Sequence, residues 1–348
     1  MNQSLTADRL LPSAATLPAV YACLLFDYLR ALGVDPGSVL HPSQVLALEA
    51  QEAHAPTPRS EWLGMLAQIA GRNDDPDLPL KIGAAFEVRH LGLAGYVLLS
   101  CATLGEVGRQ IGRYYRLMGD MGGSSLQVNG AVAEDVFEWQ EAAPPPPALE
   151  QLWAAATVTL GRWLTGRSDL RWEAHFRLPR PLNVQLYERL FGGRLHFGQD
   201  RTRLVFPAWV LELPIAMASP ELRERAEAQA LEVLRAQEQE PEIRRRTRLL
   251  VGQQLASGRA SLEAVAPMLG LSGRTLHRRL AECGSSFRQL LDEVRQSRAE
   301  RFLRNLSLPL AEIAFMLGYA EQSSFQHAFQ RWTGLTPGEY RKRVSSTE

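Results

Sequence analysis

The last third of the chain contains the same short motif twice. The segment VAPMLGLS, residues 265–272, aligns with IAFMLGYA, residues 313–320, at an offset of 48 residues, and four of the eight positions are identical. Each copy has apolar residues at helical spacing, then a glycine, and then a second amphipathic segment. Gly270 and Gly318 stand where a helix must end in a left-handed conformation, which glycine adopts at little cost. The repeat therefore predicts two helix-turn-helix units.

The second helix of each unit is expected to hold two core anchors and to turn a polar face outward. Leu276 and Leu280 are the anchors in the first unit, and Phe325 and Phe329 are the anchors in the second. Ser272 is placed to cap the first of these helices. In a DNA-binding helix-turn-helix, the outer face of the second helix enters the major groove. Similar helix pairs occur in bundles that bind no DNA, so two units are a stronger indication than one.

A helix at 286–305 is predicted to link the two units, which span about 261–281 and 309–332. At 1.5 Å per residue, its twenty or so residues would be roughly 30 Å long, close to the ~34 Å of one turn of B-DNA. Both units could then enter successive major grooves on one face of the duplex. Arg295 and the other arginines of this helix interleave with acidic residues, which favours ion pairs on a solvated face.

The charges of the chain are segregated, although its net charge is zero. From Pro241 onward there are 17 Lys and Arg residues against 10 Asp and Glu residues, a balance of +7. The preceding 240 residues hold the other 21 basic and 28 acidic residues, a balance of −7. A basic C-terminal third favours a polyanionic partner.

The first two thirds of the chain predict helices followed by strands. Residues 17–121 show mostly helical spacing, and alternation around Asn129-Gly130 predicts a β-hairpin. Pro144 to Pro147 cannot lie inside a helix and indicate a stiff connector. The other predicted elements are a helix at 148–165, a strand at 171–178, a helix at 182–191 and a hairpin-like pair at 194–200 and 203–209. This order favours an α+β domain with a small antiparallel sheet.

The chain lacks the patterns of several other classes of protein. It has no run of 18 or more apolar residues, and its N-terminal segment does not resemble a secretory signal. Cys23, Cys101 and Cys283 are scattered, which favours a reduced, cytoplasmic setting without a zinc site. No catalytic motif and no phosphate or dinucleotide loop is present. We therefore expect no membrane partner, no cofactor, no metal site and no enzymatic activity.

The repeat and its surroundings carry a specific resemblance. AVAPMLGLSGRTLHRRLAECGSSFRQLLDEVRQSRAERFLRN, followed by LAEIAFMLGYAEQSSFQHAFQRWTGLTPGEYR, resembles the AraC/XylS family of bacterial transcription regulators, over about Arg248 to Arg343. Upstream, LGLAGYVLLSCATLGEVGRQIGRYYRLMGD is similar to the arabinose-binding type of effector domain. The resemblance implies a cytoplasmic, ligand-responsive transcription activator. Its implied partners are double-stranded promoter DNA, a small-molecule effector, RNA polymerase and a second copy in a homodimer.

A length of 348 residues favours two domains. Residues 1–219 would form the effector-binding domain, residues 220–245 a connector, and residues 246–348 an all-helical double helix-turn-helix domain. The connector segment SPELRERAEAQALEVLRAQEQEPE has few apolar residues, which is typical of a solvated helix. A helix that couples the domains or contacts a second copy is the alternative.

The outward faces of the two recognition helices indicate which residues read DNA. Arginine can pair with guanine O6 and N7, and glutamine with adenine N6 and N7. The family resemblance implies base contacts at Arg274, His277 and Arg278. The predicted base-reading residues are Arg274, Thr275, His277, Arg278, Gln322, Ser323, Ser324, Gln326 and His327. Contacts to the DNA backbone are predicted for Ser272, Arg279 and Arg331.

Three residues depart from the family pattern. His327 stands where the family commonly has arginine, and a neutral imidazole would weaken a contact with phosphate or guanine. We therefore expect the first unit to carry more of the sequence specificity. Pro267 removes a hydrogen bond inside the first helix of that unit, and Gly273 replaces a larger residue. Both favour a less rigid first unit, which acts against this expectation.

The role of the N-terminal half is open to two alternatives. It could be a structural or dimerising half of a constitutive DNA-binding protein, or a small-molecule enzyme with a DNA-binding appendage. Effector-binding residues are unknown: Arg109, Arg113 and Arg116 share a helical face and could bind a carboxylate, although a solvated face is the simpler interpretation. Its histidines, among them His175 and His196, are scattered and are predicted to be structural.

Overall fold

The computed structural model of the chain describes residues 15–49, 56–72, 75–114, 122–139, 144–216, 220–255, 258–306 and 308–345. These residues divide into two units. The N-terminal unit is formed by segments 15–39 and 53–236, and the C-terminal unit by segments 40–52 and 237–348. The break at 236 falls within the predicted connector, whereas the place of segment 40–52 in the C-terminal unit is not predicted from the sequence. None of the described helices is long and apolar enough to cross a membrane.

Short helices dominate the start of the chain. In order they are α1 (Val20–Ala31), α2 (Pro42–Glu49), α3 (Arg59–Ala70), α4 (Leu78–Ala84), α5 (Leu93–Leu99) and α6 (Leu104–Arg113). Strands β1 (Thr16–Pro18) and β2 (Pro56–Pro58) pair antiparallel beside them. The predicted helical segments are confirmed, and Gly33 leaves the first of them with φ 72°. The end of the segment predicted to be mostly helical, residues 115–121, lies outside the described residues.

The sheet of the N-terminal unit alternates with two helices. In order the elements are β3 (Gly123–Asn129), β4 (Val132–Glu138), α7 (Pro147–Thr165), β5 (Trp172–His175), α8 (Gln185–Phe191), β6 (Gly192–His196) and β7 (Arg203–Pro207). The hairpin at Asn129-Gly130 is confirmed, since Asn129 pairs with Val132 and Gly130 has φ 61°. Helix α7 begins one residue earlier than predicted, at the last proline of the run, Pro147, because a proline at the first helical position loses no hydrogen bond.

The strand order β3-β4-β7-β5-β6 corrects one prediction. The segments 194–200 and 203–209 do not form a hairpin, because β5 lies between β6 and β7. Since β5 and β6 are joined through α8, they run parallel, while the other three pairs are antiparallel as predicted. The sheet is therefore mixed.

Helix α7 covers one face of this sheet. Ala154, Ala155 and Val158 are fully buried against sheet residues such as Trp172. On its other side α7 meets α4 so closely that a Cβ at Gly83 would lie 2.7 Å from the Ala155 Cβ. These small residues allow the helices and the sheet to pack at short range.

Helix α9 (Pro220–Gln239) is the charged helix of the predicted connector. It is not fully solvated: Ala226 and Ala230 are buried, and Gln110 Nε2 donates a hydrogen bond to Glu227 Oε1 at 3.3 Å. The part of α9 up to residue 236 belongs to the N-terminal unit. The interpretation of this segment as a solvated connector therefore does not hold at Ala226 and Ala230.

The C-terminal unit is helical, as predicted. Its helices after α9 are α10 (Glu242–Leu255), α11 (Leu262–Met268), α12 (Gly273–Glu282), α13 (Phe287–Phe302), α14 (Leu310–Met316), α15 (Gln322–Thr333) and α16 (Pro337–Ser345). The linking helix α13 has 16 residues, fewer than predicted, and is about 24 Å long at 1.5 Å per residue. Leu46 of α2 packs against the core of the second helix-turn-helix.

Candidate nucleic-acid interface

The two helix-turn-helix units, α11 with α12 and α14 with α15, contain the same turn. Gly270 has φ 67° and Gly318 has φ 72°, so both occupy the left-handed region that the repeat predicts. In each unit, the amide after the glycine closes the preceding helix. These bonds run from Leu271 N to Ala266 O at 3.0 Å and from Tyr319 N to Ala314 O at 2.9 Å. The repeated sequence therefore encodes a repeated C-terminal helix cap.

The first unit is held by aliphatic packing. Val265, Ala266, Leu276 and Leu280 are fully buried in one cluster. Pro267 is exposed in the last turn of α11, where the helix continues to Met268. Pro267 therefore removes one hydrogen bond from the last turn of α11 without ending the helix.

Recognition helix α12 presents three of the predicted base-reading residues to solvent. Arg274, His277 and Arg278 are exposed. Thr275 is half-buried, and its hydroxyl is hydrogen-bonded to the Ser272 hydroxyl at 2.8 Å. Ser272 also caps the helix by accepting from Thr275 N at 3.2 Å. The Ser272 and Thr275 hydroxyls thus hold the start of the helix, and the cations lie on its outer face.

Arg278 of α12 is only weakly paired. Arg278 Nε lies 3.6 Å from Glu282 Oε1, and the two side chains are 71% and 64% exposed. An ion pair this exposed contributes little, so DNA phosphate or guanine could replace Glu282 as the partner of Arg278. Arg279, predicted to contact the backbone of DNA, is half-buried.

The second unit is held by aromatic packing. Phe325 and Phe329 are fully buried, as predicted, with ring centroids 5.8 Å apart. Tyr319 lies 6.1 Å from Phe325, and Tyr340 lies 5.4 Å from Phe329. The aromatic rings thus extend the core from the turn to the last helix of the chain.

Arg295 of the linking helix fastens the second turn. Its Nε donates to the Leu317 carbonyl at 3.0 Å and its Nη2 to the Gly318 carbonyl at 3.4 Å. The guanidinium also lies 4.3 Å from the ring centroid of Tyr319. The prediction that Arg295 belongs to a solvated ion-pair face is wrong, because its partners are carbonyls left free at a helix end.

Recognition helix α15 presents a neutral face. Gln322, Ser323, Ser324 and His327 are exposed, and Gln326 is half-buried. Its N-cap, Glu321, makes no side-chain capping bond. Unlike α12, this helix offers DNA hydroxyls, amides and an imidazole.

Arg331, which is predicted to contact the DNA backbone, and Arg244 each form an ion pair with the linking helix. Arg331 Nη2 lies 3.4 Å from Asp292 Oδ2, with the Arg331 side chain 56% exposed. Arg244 lies in helix α10, and its Nη2 is 2.9 Å from both carboxylate oxygens of Glu293. A phosphate at either position would have to replace a carboxylate.

The N-terminal unit contains a buried carboxyl that the sequence analysis missed. Asp135 lies on the sheet face that packs on α7, two residues after the core residue Ala133. It accepts a hydrogen bond from the Ser124 hydroxyl, and burial raises its pKa to about 6. The available signal was an acidic residue at an inward-facing position of an alternating strand.

Two adjoining spaces, of about 100 and 80 Å³, lie between α6, α7 and the sheet beside this carboxyl. They share Ile111, Thr157 and Leu160 as lining residues. Ser124 lines the larger space and Asp135 the smaller one. We refer to the two spaces, defined by these five residues, as the Asp135 cavity. It is concave and largely apolar, with few polar groups, as small-molecule sites commonly are.

His175 and His196, which are distant in the sequence, stack on adjacent strands with ring centroids 4.3 Å apart. Glu173 Oε1 lies 3.3 Å from His175 Nε2 and 2.8 Å from His196 Nε2. These three side chains could supply ligand atoms for a transition metal. Burial, and then the charge of Arg203, lower the pKa of His175, and the same positive charge would oppose a bound cation.

The arginines that could bind an effector carboxylate form no site in the described part of the chain. Arg109 and Arg113 are exposed on α6, and Arg113 stacks on the ring of Tyr114 at 5.5 Å. Arg116 lies outside the described residues. The side chains of Arg109 and Arg113 are not among those that line the Asp135 cavity.

Comparison with known protein families covers both parts of the chain. A family model described as the arabinose-binding domain of AraC transcription regulator matches residues 33–215. A second model, described as a helix-turn-helix domain, matches residues 243–343. The two matches follow the division into an N-terminal and a C-terminal half.

Individual relatives match over most of the chain. The ornithine utilization regulator of Pseudomonas aeruginosa is 30% identical over 336 residues, which are 95% of this chain and 97% of the relative. The HTH-type transcriptional regulator VirS of Mycobacterium tuberculosis is 28% identical, over 90% of this chain and 93% of the relative. Among solved structures, the transcriptional regulator CdpR from Pseudomonas aeruginosa is 26% identical, with a TM-score of 0.44 over 93% of this chain and 98% of its own.

Proposed function

The chain belongs to the AraC family of DNA-binding transcription regulators, and on this premise we propose that it is a ligand-responsive activator that reads two successive major grooves of promoter DNA. The observation that carries the proposal is the turn that recurs in both helix-turn-helix units. It places recognition helices α12 and α15 in the same way after their first helices, and both lie in the C-terminal part of the chain.

Base reading is assigned to the outer faces of α12 and α15. Arg274, His277 and Arg278 can donate to guanine edges, and Gln322 and Gln326 can pair with adenine. Thr275, Ser323, Ser324 and His327 complete this set. The half-buried Arg279 and the ion-paired Arg331 are assigned to phosphate, while Ser272 orders the first amide groups of α12. Phosphate contacts of this kind fix the register of a protein on DNA.

Ligand response is assigned to the N-terminal unit, at the Asp135 cavity. A ligand changes an equilibrium between two arrangements only if it binds one of them more tightly. Occupation of the cavity would therefore favour an arrangement in which the paired units bind DNA or contact RNA polymerase. A homodimer, a cytoplasmic location and the absence of enzymatic activity are parts of the same proposal.

Selection from a random DNA library with the full chain tests the DNA part of the proposal. We expect two enriched sequence blocks whose centres are about 10 base pairs apart, which is one helical turn. A single enriched block would contradict reading by two units, and sequence-independent retention would contradict base reading altogether. Light scattering with and without the selected DNA measures the oligomeric state.

A constitutive regulator with a structural N-terminal half is the second candidate function. The partly buried contact of α9 with α6 favours this constitutive function, because it shows α9 packed as a structural part of the N-terminal unit. It predicts that no small molecule changes the affinity for the selected DNA. A ligand that shifts this affinity would refute it.

A further inference from the structure

The side chains around Asp135 provide no charge to balance its carboxylate. In the described part of the chain, the residues that line the cavity are apolar, aromatic, glycine or hydroxyl-bearing, and the ionisable ones among them are Asp135 on β4 and the phenol of Tyr21 on α1. The Ser124 hydroxyl is the hydrogen-bond donor to Asp135 among these residues. A carboxylate that is buried with one neutral donor is costly, so it takes up a proton or a cationic partner.

The volume of the cavity limits the size of any cationic partner of Asp135. Its two spaces, of about 100 and 80 Å³, are lined by Leu160 and Ile111 where they adjoin. An apolar engineered cavity of about 150 Å³ accepts benzene, so a six- to nine-carbon body is of the right order. Gly108 lets Leu126 pack closely against α6 in the wall of the smaller space, because a Cβ there would lie 2.6 Å from Leu126 Cδ2. The ligand is therefore compact and mainly apolar.

We propose that the Asp135 cavity binds a primary amine with a compact apolar body, its ammonium group held by the Asp135 carboxylate and the Ser124 hydroxyl. This inference deepens the ligand response proposed above and rests on it. A carboxylate ligand is disfavoured because it would place a second anion beside Asp135. The amine restores the charge balance that the lining side chains lack.

The pH dependence of stability follows from the same geometry. The raised pKa, about 6 against 3.8, means that the folded chain holds a proton that the unfolded chain has lost in this window. Stability conferred at Asp135 is therefore complete below about pH 4, falls as the pH rises toward 6, and is constant above that. A bound amine requires the ionised carboxylate, so its affinity rises with pH over the same window.

The test uses the full chain, with phenethylamine, hexylamine and cyclohexylmethylamine as probes. Each is compared with the alcohol of the same carbon skeleton, in thermal-shift and calorimetric titrations at neutral pH. We expect at least one amine to raise the melting temperature and to bind about tenfold or more tightly than its alcohol. We also expect the affinity of that amine to fall as the pH drops from about 7 to about 5, while alcohol binding does not change.

Asp135→Asn removes the charge and keeps the shape. It should abolish the preference for the amine and the pH dependence, and it should raise the melting temperature of the free protein at neutral pH. Glu134→Gln is the matched control, because Glu134 is the preceding residue on the opposite face of the strand, paired with Arg203 at 3.7 Å. The control should bind amines as the unchanged chain does.

Three results would overturn the inference. They are equal binding of every amine and its alcohol, tighter binding of phenylacetate than of phenethylamine, and amine binding that survives in Asp135→Asn. The comparison of amine with alcohol uses the unchanged chain, so it holds even if the variant does not fold. Amine binding without any change in DNA affinity would instead refute the proposed ligand response and leave the site intact.

Discussion

The two helix-turn-helix units share a turn but hold their recognition helices by different means. In the first unit, a Ser272 cap starts the helix and aliphatic side chains anchor it. In the second, Glu321 provides no side-chain cap, and the helix is anchored by the aromatic cluster and by Arg295 on the turn. A repeat thus fixes the local geometry of the turn, while each copy can stabilise it with different chemistry.

The units also differ in what they present to solvent. Recognition helix α12 displays Arg274 and Arg278, whereas α15 displays amides, hydroxyls and His327. Arginine pairs bidentately with guanine O6 and N7, which is the commonest specific base contact, whereas serine and glutamine contact phosphates as well as base edges. The contrast in exposed groups favours the expectation that the first unit carries more of the sequence specificity, and the contrast in anchoring predicts that the second unit is the more stable.

The aromatic anchor gives the largest expected effect. Phe329→Ala removes a fully buried ring that contacts Phe325 and Tyr340, so it should cost about 3–5 kcal/mol of local unfolding free energy. Hydrogen exchange of the α14 and α15 amides measures this loss. Leu280→Ala, the matched change in the first unit, should cost less, and a larger cost there would reverse the comparison of stability.

The arginine contact to the second turn comes next. Arg295→Gln leaves the Leu317 and Gly318 carbonyls without these donors and should cost about 1–3 kcal/mol, seen as faster exchange in α14 and α15. Arg288→Gln, an exposed change on the same helix, serves as control. If both variants exchange alike, Arg295 does not fasten the turn.

Substitutions at Gly318, in the second turn, and at Gly273, at the start of α12, give the third comparison. Gly318→Ala forces a left-handed φ on alanine and places its Cβ 2.9 Å from the Leu255 carbonyl, so a loss of about 1–2 kcal/mol is expected. Gly273→Ala meets only Leu262 at 3.7 Å and should change stability by less than about 0.5 kcal/mol. Thermal denaturation compares them, and equal losses would show that the turn is not the strained position.

The helix caps give the smallest effect. Ser272→Ala should destabilise the start of α12 by about 1 kcal/mol, because the Thr275 amide loses its acceptor. Glu321→Ser adds the missing cap to α15 and should stabilise it by a similar amount. Exchange rates at the first amides of each helix report both changes. If Ser272→Ala does not speed exchange at the start of α12, or Glu321→Ser does not slow it at the start of α15, the assigned difference in capping is wrong.

Local features of the fold were predictable, and contacts between distant segments were not. The glycine turns, the anchors and the hairpin at Asn129-Gly130 follow from spacing within a few residues. The parallel pairing of β6 depends on a crossover through α8, which strand patterns do not reveal. The place of α2 in the C-terminal unit likewise depends on tertiary contacts rather than on local sequence.

The candidate sites show the same difference between local features, which were predictable, and contacts between distant segments, which were not. The exposed residues of α12 were predicted because helical spacing separates them from Leu276 and Leu280. Asp135 was missed because its partners come from another strand and from two helices, so no motif marks it. Arg295 was misassigned because charge spacing along a helix says nothing about carbonyls more than twenty residues away.

The central claim is that the paired units read DNA bases, with the first unit dominant. The direct test is to measure the affinity of Arg278→Ala and His327→Ala for the selected DNA and for each of its single-base variants, at fixed salt. We expect Arg278→Ala to cost about 1–3 kcal/mol and to relax specificity at one base pair, and His327→Ala to cost clearly less. An equal loss on every sequence for Arg278→Ala, or a larger loss for His327→Ala, would contradict the claim.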